Sequence, residues 1–185
     1  MLLCYPKLQK ISISAVLLAV LSACSTTVPL SLRPGQGDPS TQLYLRGKGI
    51  QQFRCEKDNQ GYFWKYLKTE ADLYEKGGAL DLISEQEPVG KLSATNSSVQ
   101  TFTHKDGSSV KGVKVLKNIK DPNNISITWM RMKAESAGSG NKTFDSIRYI
   151  LRVDTIGGMP FIACEKSTLG ELHDSRFSAT YVFWK

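Results

Sequence analysis

The sequence predicts an all-β domain, an antiparallel sandwich or barrel of about eight to ten short strands with at most one short helix. Two observations carry that expectation. Apolar residues recur with a period of two: Ile147, Tyr149, Leu151 and Val153 alternate with Ser146, Arg148, Ile150 and Arg152, and Phe177, Ala179, Tyr181 and Phe183 form a second such face. A half-buried strand requires that period, because successive side chains point to opposite sides of a sheet. The runs are also short, rich in β-branched and aromatic residues, and bounded by Gly, Pro and Asn-Asp signals, with no helical stripe sustained over about 12 residues.

From the N-terminus, the chain first carries an address. Lys7 and Lys10 precede the apolar residues 11–23, which only Ser12, Ser14 and Ser22 interrupt. At about 1.5 Å per residue that stretch is too short to cross a hydrocarbon layer of about 30 Å, and it is expected to be a secretory signal. It ends in Leu21-Ser22-Ala23-Cys24, which resembles the lipobox of bacterial lipoproteins. Residues 1–23 are therefore expected to be removed and Cys24 to carry a lipid, the membrane being the partner that this anchor implies. Two acyl chains anchor stably where one is marginal, at about 0.8 kcal/mol per buried CH₂. Ser25 rather than Asp after the Cys resembles lipoproteins passed on to the outer membrane, so the expected location is the cell envelope, facing the periplasm or the surface. Residues 24–41 hold Pro29, Pro34 and Pro39 without periodicity and are expected to form the lipidated Cys and a flexible tether, reaching at most roughly 55–60 Å.

Residues 42–185 are expected to be a single β domain. Strand candidates follow at 44–55, 62–67, 71–74, 99–104 and 110–116, with residues 70–82 the only stretch that is open to a partly helical assignment. Asp106-Gly107 between the last two is a hairpin signal, since Gly supplies a positive φ. Ile125, Ile127 and Trp129 give way to Met130 and Met132 in the apolar phase, as a β-bulge would cause. The strand ending in Asp154-Thr155-Ile156-Gly157-Gly158 asks for backbone angles that Gly permits.

Composition narrows the class. The 185 residues hold 24 Lys plus Arg against 17 Asp plus Glu, a formal +7, with 41% apolar and 22% charged residues. That excludes a disordered or fibrous chain and suffices for one core. Loss of Lys7 and Lys10 with the signal would lower the charge to +5. Lys105, Lys111, Lys114, Lys117 and Lys120, opposed by Asp106, supply most of that balance. Such a lysine-rich hairpin fits an anionic lipid or another envelope component, at about 1 kcal/mol per residue near a charged surface. It lacks the interleaved aromatics of a single-strand nucleic-acid platform, and nucleic acid is not expected as a partner.

After Cys4 and Cys24, two thiols remain. In an exported protein Cys55 and Cys164 predict a disulfide closing a loop of about 110 residues. A metal or redox pair is the alternative, but there is no Cys-x-x-Cys, and only His104 and His173 add soft ligands.

A longer pattern points to a family. Gly49-Ile50-Gln51-Gln52-Phe53-Arg54-Cys55, Trp64, Glu70-Ala71-Asp72-Leu73, Val89-Gly90-Lys91, Asp106-Gly107-Ser108-Ser109-Val110-Lys111-Gly112, Ile125 to Trp129, Gly138-Ser139-Gly140, Arg152-Val153-Asp154-Thr155-Ile156-Gly157-Gly158, Cys164 and Ser178-Ala179-Thr180-Tyr181-Val182-Phe183 occur in order. Across residues 45–184 the chain resembles a family of secreted bacterial and fungal proteins catalogued as a domain of unknown function. The resemblance implies a compact β-rich exported domain and supplies no activity. Many relatives carry a His after a Gly-Lys-like turn, where this chain has Leu92 after Gly90-Lys91.

No catalytic motif stands out. The chain lacks a Gly-x-Gly-x-x-Gly fingerprint, a phosphate loop, His-Glu-x-x-His and Gly-x-Ser-x-Gly, so no catalytic residue, metal or cofactor is assigned. The leading expectation is a lipid-anchored, non-catalytic domain that binds a ligand or an envelope component. A hydrolase of unrecognised type is the alternative, with His104 or His173 as base beside a Ser; both histidines are expected on solvated loops. Membrane-surface or glycolipid binding through the lysines is a second alternative. Arg148, Arg152 and Asp154 are a candidate polar ligand groove, although Arg148 and Arg152 share parity and are expected to form one solvated face.

Overall fold

In a computed structural model, which describes residues 28–35, 42–76, 87–96, 99–121 and 124–185, the body of the chain closes into a barrel of eight antiparallel strands. They are β1 (Gln42–Asp58), β2 (Gly61–Glu75), β3 (Gly90–Ala94), β4 (Gln100–His104), β5 (Ser109–Ile119), β6 (Trp129–Ser136), β7 (Tyr149–Gly157) and β8 (Leu172–Trp184). Each pairs with the next, and β8 closes on β1 in a register that runs from Gln42 opposite Trp184 to Arg54 opposite Leu172. Closure leaves no bare strand edge and gives an interior that is either filled by side chains or able to hold one small ligand.

Up-and-down order places the β1–β2, β3–β4, β5–β6 and β7–β8 connections at one end of the barrel and the remaining connections at the other. The second end is packed shut. Leu45, Leu73, Leu92, Phe102, Phe144 and Phe183 are all buried there. The ring of Phe183 lies 5.2 Å from Phe102 and 4.7 Å from Phe144, which the 137–148 segment brings over the barrel. Full burial of each such side chain stabilises by roughly 1.5–3 kcal/mol. The Asp106-Gly107 hairpin forms as expected, with Gly107 at φ 82° and the Asp106 carboxylate accepting bonds from the Ser108 and Thr143 amides, both at 2.8 Å.

The first end stays open, and its loops are tied individually. The Asp58 carboxylate accepts the Gln60 and Gly61 amides to close the β1–β2 tip. The Cys55–Cys164 disulfide forms as expected, with Cα atoms 5.4 Å apart, and staples the β7–β8 loop onto that hairpin. Asp154, Gly157 and Gly158 take φ values of 49°, 69° and 91°, so the strand end does use the angles that its glycines permit.

Several expectations need correction. Residues 70–75 continue β2 rather than starting a helix, and the rest of 70–82 lies largely outside the described residues. Gly90-Lys91 opens a short strand instead of forming a turn, which carries Leu92 into the core. The face assignment of β7 is inverted. Ile150 and Arg152 point inward, while Tyr149, Leu151 and Val153 face out.

That outer face stays apolar because part of the expected tether covers it. Val28, and Leu32 at the end of a 3-10 turn at Leu30–Leu32, pack with Leu151, Val153, Val182 and Trp184 in a second buried cluster. Arg131 donates from Nη1 to the Arg33 carbonyl and fastens this strap to β6. Residues 28–35 are therefore docked on the barrel. Residues 1–27, with the expected signal and Cys24, and residues 36–41 lie outside the described residues.

Candidate binding site in the barrel mouth

Below the open end, the interior changes from apolar to polar. Inward-facing positions carry Gln51 on β1, Tyr66 and Thr69 on β2, Gln100 on β4, Arg152 on β7, and Ser175 and Tyr181 on β8. Of these, Gln51, Tyr66, Gln100 and Arg152 line a cavity of about 250 Å³ walled on its apolar side by Phe53, Ile127, Met130 and Met159, and Thr69, Ser175 and Tyr181 are buried in the same interior. Local wiring fixes the polar rim. Gln51 Nε2 donates to Thr69 Oγ1 at 3.2 Å, and the Tyr66 and Thr69 hydroxyls lie 2.7 Å apart. Thr155 Oγ1 donates to the Ile127 carbonyl at 2.6 Å, holding the β5–β6 loop at the mouth.

Arg152 is the unusual member. It is 5% exposed, its Nε donates to the Thr128 carbonyl at 2.9 Å, and among the described residues no carboxylate lies within ion-pair distance. An isolated buried cation is costly, by several kcal/mol even after relaxation, and is normally paired. Burial pushes the guanidinium pKa down, and the neighbouring hydroxyls of Tyr181 and Tyr66 partly offset this. The guanidinium nevertheless stays charged, because no ordinary pH deprotonates arginine. Burial also pushes Tyr181 up to about 12, against the pull of Arg152, so near neutrality it is a hydroxyl that can donate. Tyr66 is raised too, again by burial first.

Among the described residues, three polar atoms in this interior are left over, the third being Ser175 Oγ. Tyr181 Oη lies beside the guanidinium without a hydrogen bond of normal geometry, and Gln100 Oε1 is buried without a partner. Leaving a buried polar group unsatisfied costs about 1–3 kcal/mol. A bound anionic group would answer the spare guanidinium donors of Arg152, which lines the cavity.

Only part of the expected groove meets here. Arg152 lies inside, buried rather than on a solvated face. Arg148 is exposed ahead of β7, its guanidinium 5.9 Å from the Tyr149 ring centroid. Asp154 sits at a bulge between Val153 and Ile156 and does not line the cavity. Gln51, Tyr66, Gln100 and Tyr181 went unassigned from the sequence, because single polar residues on apolar strands give no signal of their own.

The histidines are not the solvated loop residues expected. His173 lies in β8, its ring 5.4 Å from Trp64 and 5.3 Å from Phe161, with Nε2 buried and unpartnered. His104 ends β4, its side chain 11% exposed and its ring edge-on to Phe144, with Nδ1 3.1 Å from Asp106. Asp106 in turn accepts the Ser108 hydroxyl at 2.6 Å, and Ser108 Oγ accepts the Phe144 amide. The carboxylate therefore stands between His and Ser. A nucleophile needs the imidazole in that middle position, so this trio acts as a turn clamp.

The lysines divide between the two ends. Lys105 lies in the β4–β5 turn at the closed end, whereas Lys111, Lys114 and Lys117 follow one another along β5, with Lys120 just past it. Two bulges keep these side chains exposed, and the register sets Lys114 opposite Lys133 and Lys117 opposite Arg131. Sequence reasoning missed those β6 partners because pairing is not visible along the chain.

The molecule is thus an eight-stranded up-and-down barrel with one packed end and one mouth built around a buried, uncompensated arginine. Residues 36–185 match the model of a family of proteins of unknown function, DUF3455, and the chain belongs to that family. No curated protein and no solved structure matches the chain.

Proposed function

We propose that this protein is a non-catalytic binding barrel, held at the cell envelope by a lipid on Cys24, that takes a small amphipathic carboxylate in its mouth. The observation that carries the reading is Arg152, a buried charged group lining the cavity with no counter-ion among the described residues. Arginine presents a planar fork that matches a carboxylate in two parallel hydrogen bonds. The apolar wall of Phe53, Ile127, Met130 and Met159 suits a short hydrocarbon or aromatic body. At about 250 Å³ the cavity falls below the ~300–1,000 Å³ of pockets for drug-sized ligands, which favours a small one.

Titration calorimetry with octanoate and benzoate tests this. Saturable binding to the wild-type chain, weakened about tenfold or more by Arg152→Met, is expected, since a charge-assisted hydrogen bond contributes about 1.5–3 kcal/mol. No binding of either probe, or equal binding to the variant, overturns it. The lipid anchor rests on the signal-like residues 1–23 and the lipobox ending at Cys24. Mass spectrometry of membrane-extracted protein should find the chain beginning at an acylated Cys24; an unmodified Cys24 refutes the anchor.

A further inference from the structure

From the docked strap we infer that the barrel seats on an anionic phospholipid bilayer through the outer end of β5 and the strap, with the ligand mouth turned toward the lipid. This rests on the anchor proposed above for its direction, and on separate observations for its surface. The described part of the strap begins at Val28, and in the sequence only Ser25, Thr26 and Thr27 stand between it and Cys24. At about 3.3–3.6 Å per residue, an acylated Cys24 can lie no more than about 14 Å from the point where the chain meets the barrel. The long free tether is thereby excluded as the spacing device, and the face beside Val28 is brought to the membrane.

That face is already suited to one. Pro29 shares a crevice of about 350 Å³ with Ile119, Lys120, Ser126 and Trp129, which places the strap's exit at the open end of the barrel. Leu30 is 80% exposed and Ile125 63% exposed, and Leu116 and Ile119 are exposed near the end of β5. Among them stand Lys114, Lys117 and Lys120. Lys133 and Arg131 lie directly across the ladder from the first two. Like charges placed opposite each other on a sheet destabilise it. Among the described residues no carboxylate pairs with any of these five cations. Apolar side chains for the interface, ringed by cations without a carboxylate partner for the headgroups, are the composition of a membrane-seating surface. The mouth opens on the same end, because Ile127 and Thr128 of the β5–β6 loop line it.

The test uses the chain from Ser25, which contains every residue of the barrel and strap and carries no lipid. Its sedimentation with mixed phosphatidylglycerol and phosphatidylcholine vesicles is compared with sedimentation on pure phosphatidylcholine. Binding to the mixed vesicles alone, reversed by high salt, is expected. The triple change Lys114→Glu, Lys117→Glu, Lys120→Glu should lower the partition coefficient at least tenfold. The closed-end control Lys91→Glu, Lys105→Glu, Lys142→Glu should change it less than twofold. Equal binding to both vesicle types, no binding, or equal loss in both triple variants overturns the proposal. The salt comparison needs no variant and stands whatever the substitutions do to folding. An unmodified Cys24 would remove the anchor yet leave the vesicle result in place, and carboxylate binding is read separately by calorimetry.

Discussion

Arg152→Met should make the ligand-free protein more stable, the opposite of what most changes at a residue 5% exposed would do. Methionine keeps the unbranched reach of the side chain and fits beside Met130 and Met159, so little volume is lost. The variant gives up the bond from Nε to the Thr128 carbonyl at 2.9 Å, of a type that contributes about 1.5–3 kcal/mol, and the guanidinium's weaker contact with the Tyr181 hydroxyl. It also removes an unpaired buried cation, whose desolvation costs several kcal/mol. The net expectation is a gain of about 1–2 kcal/mol, which for a chain of this size raises Tm by about 2–8 °C. Urea unfolding followed by tryptophan fluorescence, with calorimetric melting, measures it. Octanoate should reverse the order by stabilising only the wild type, as ligand linkage requires. A variant destabilised by about 1 kcal/mol or more would refute the reasoning, since the guanidinium would then serve chiefly as a brace for the β5–β6 loop.

Further outcomes follow from other parts of the barrel. Replacing Cys55 and Cys164 together by Ser should cost about 2–5 kcal/mol of unfolding free energy and lower the urea midpoint, and non-reducing mass spectrometry of the wild type should find no free thiol at either; an unchanged midpoint would mean that the staple contributes nothing. Leu32→Ala should cost about 2–5 kcal/mol if the strap is integral to the fold, because Leu32 is fully buried against β7 and β8, whereas a change within about 0.5 kcal/mol would show a strap that merely lies on the surface. Hydrogen bonds from the Ser108 hydroxyl first, then from the Thr143 and Ser108 amides, hold Asp106 well below the usual carboxylate range. A depressed folded-state pKa contributes stability that is complete above the unfolded value of about 4 and is lost as pH falls through the folded one. Asp106→Asn should therefore destabilise at pH 7 and converge on wild type in strong acid; a gap that persists unchanged at low pH would contradict the clamp.

How much was legible can be traced residue by residue. The all-β class, the Asp106-Gly107 hairpin, the glycine-dependent end of β7 and the Cys55–Cys164 pair were visible because each depends on local chemistry or on residue counting. The β8 face of Phe177, Ala179, Tyr181 and Phe183 was visible because Ser178 and Thr180 alternate with it before Val182 and Trp184 make the other face apolar too. Strand β7 misled, since both of its faces are apolar: Ile150 meets the core, while Leu151 and Val153 meet the strap. With apolar residues on either side, alternation cannot say which face is inner, and arginine on the inner one imitates a solvent face. The strap itself resembled a linker because three prolines outweighed the two buried residues Val28 and Leu32. The mouth was illegible for a different reason. Gln51, Tyr66, Gln100 and Tyr181 come from four strands, and only closure of the barrel brings them to Arg152.

The most direct test of the account is the side-chain Nε–H resonance of Arg152 in a ¹⁵N-edited NMR titration with octanoate. Buried and bonded to the Thr128 carbonyl, that proton exchanges slowly enough to be observed. The account predicts a saturable shift of this signal, absent with octanol, which presents the same chain without the charge. An Arg152 signal that stays fixed while only exposed lysines respond would contradict it.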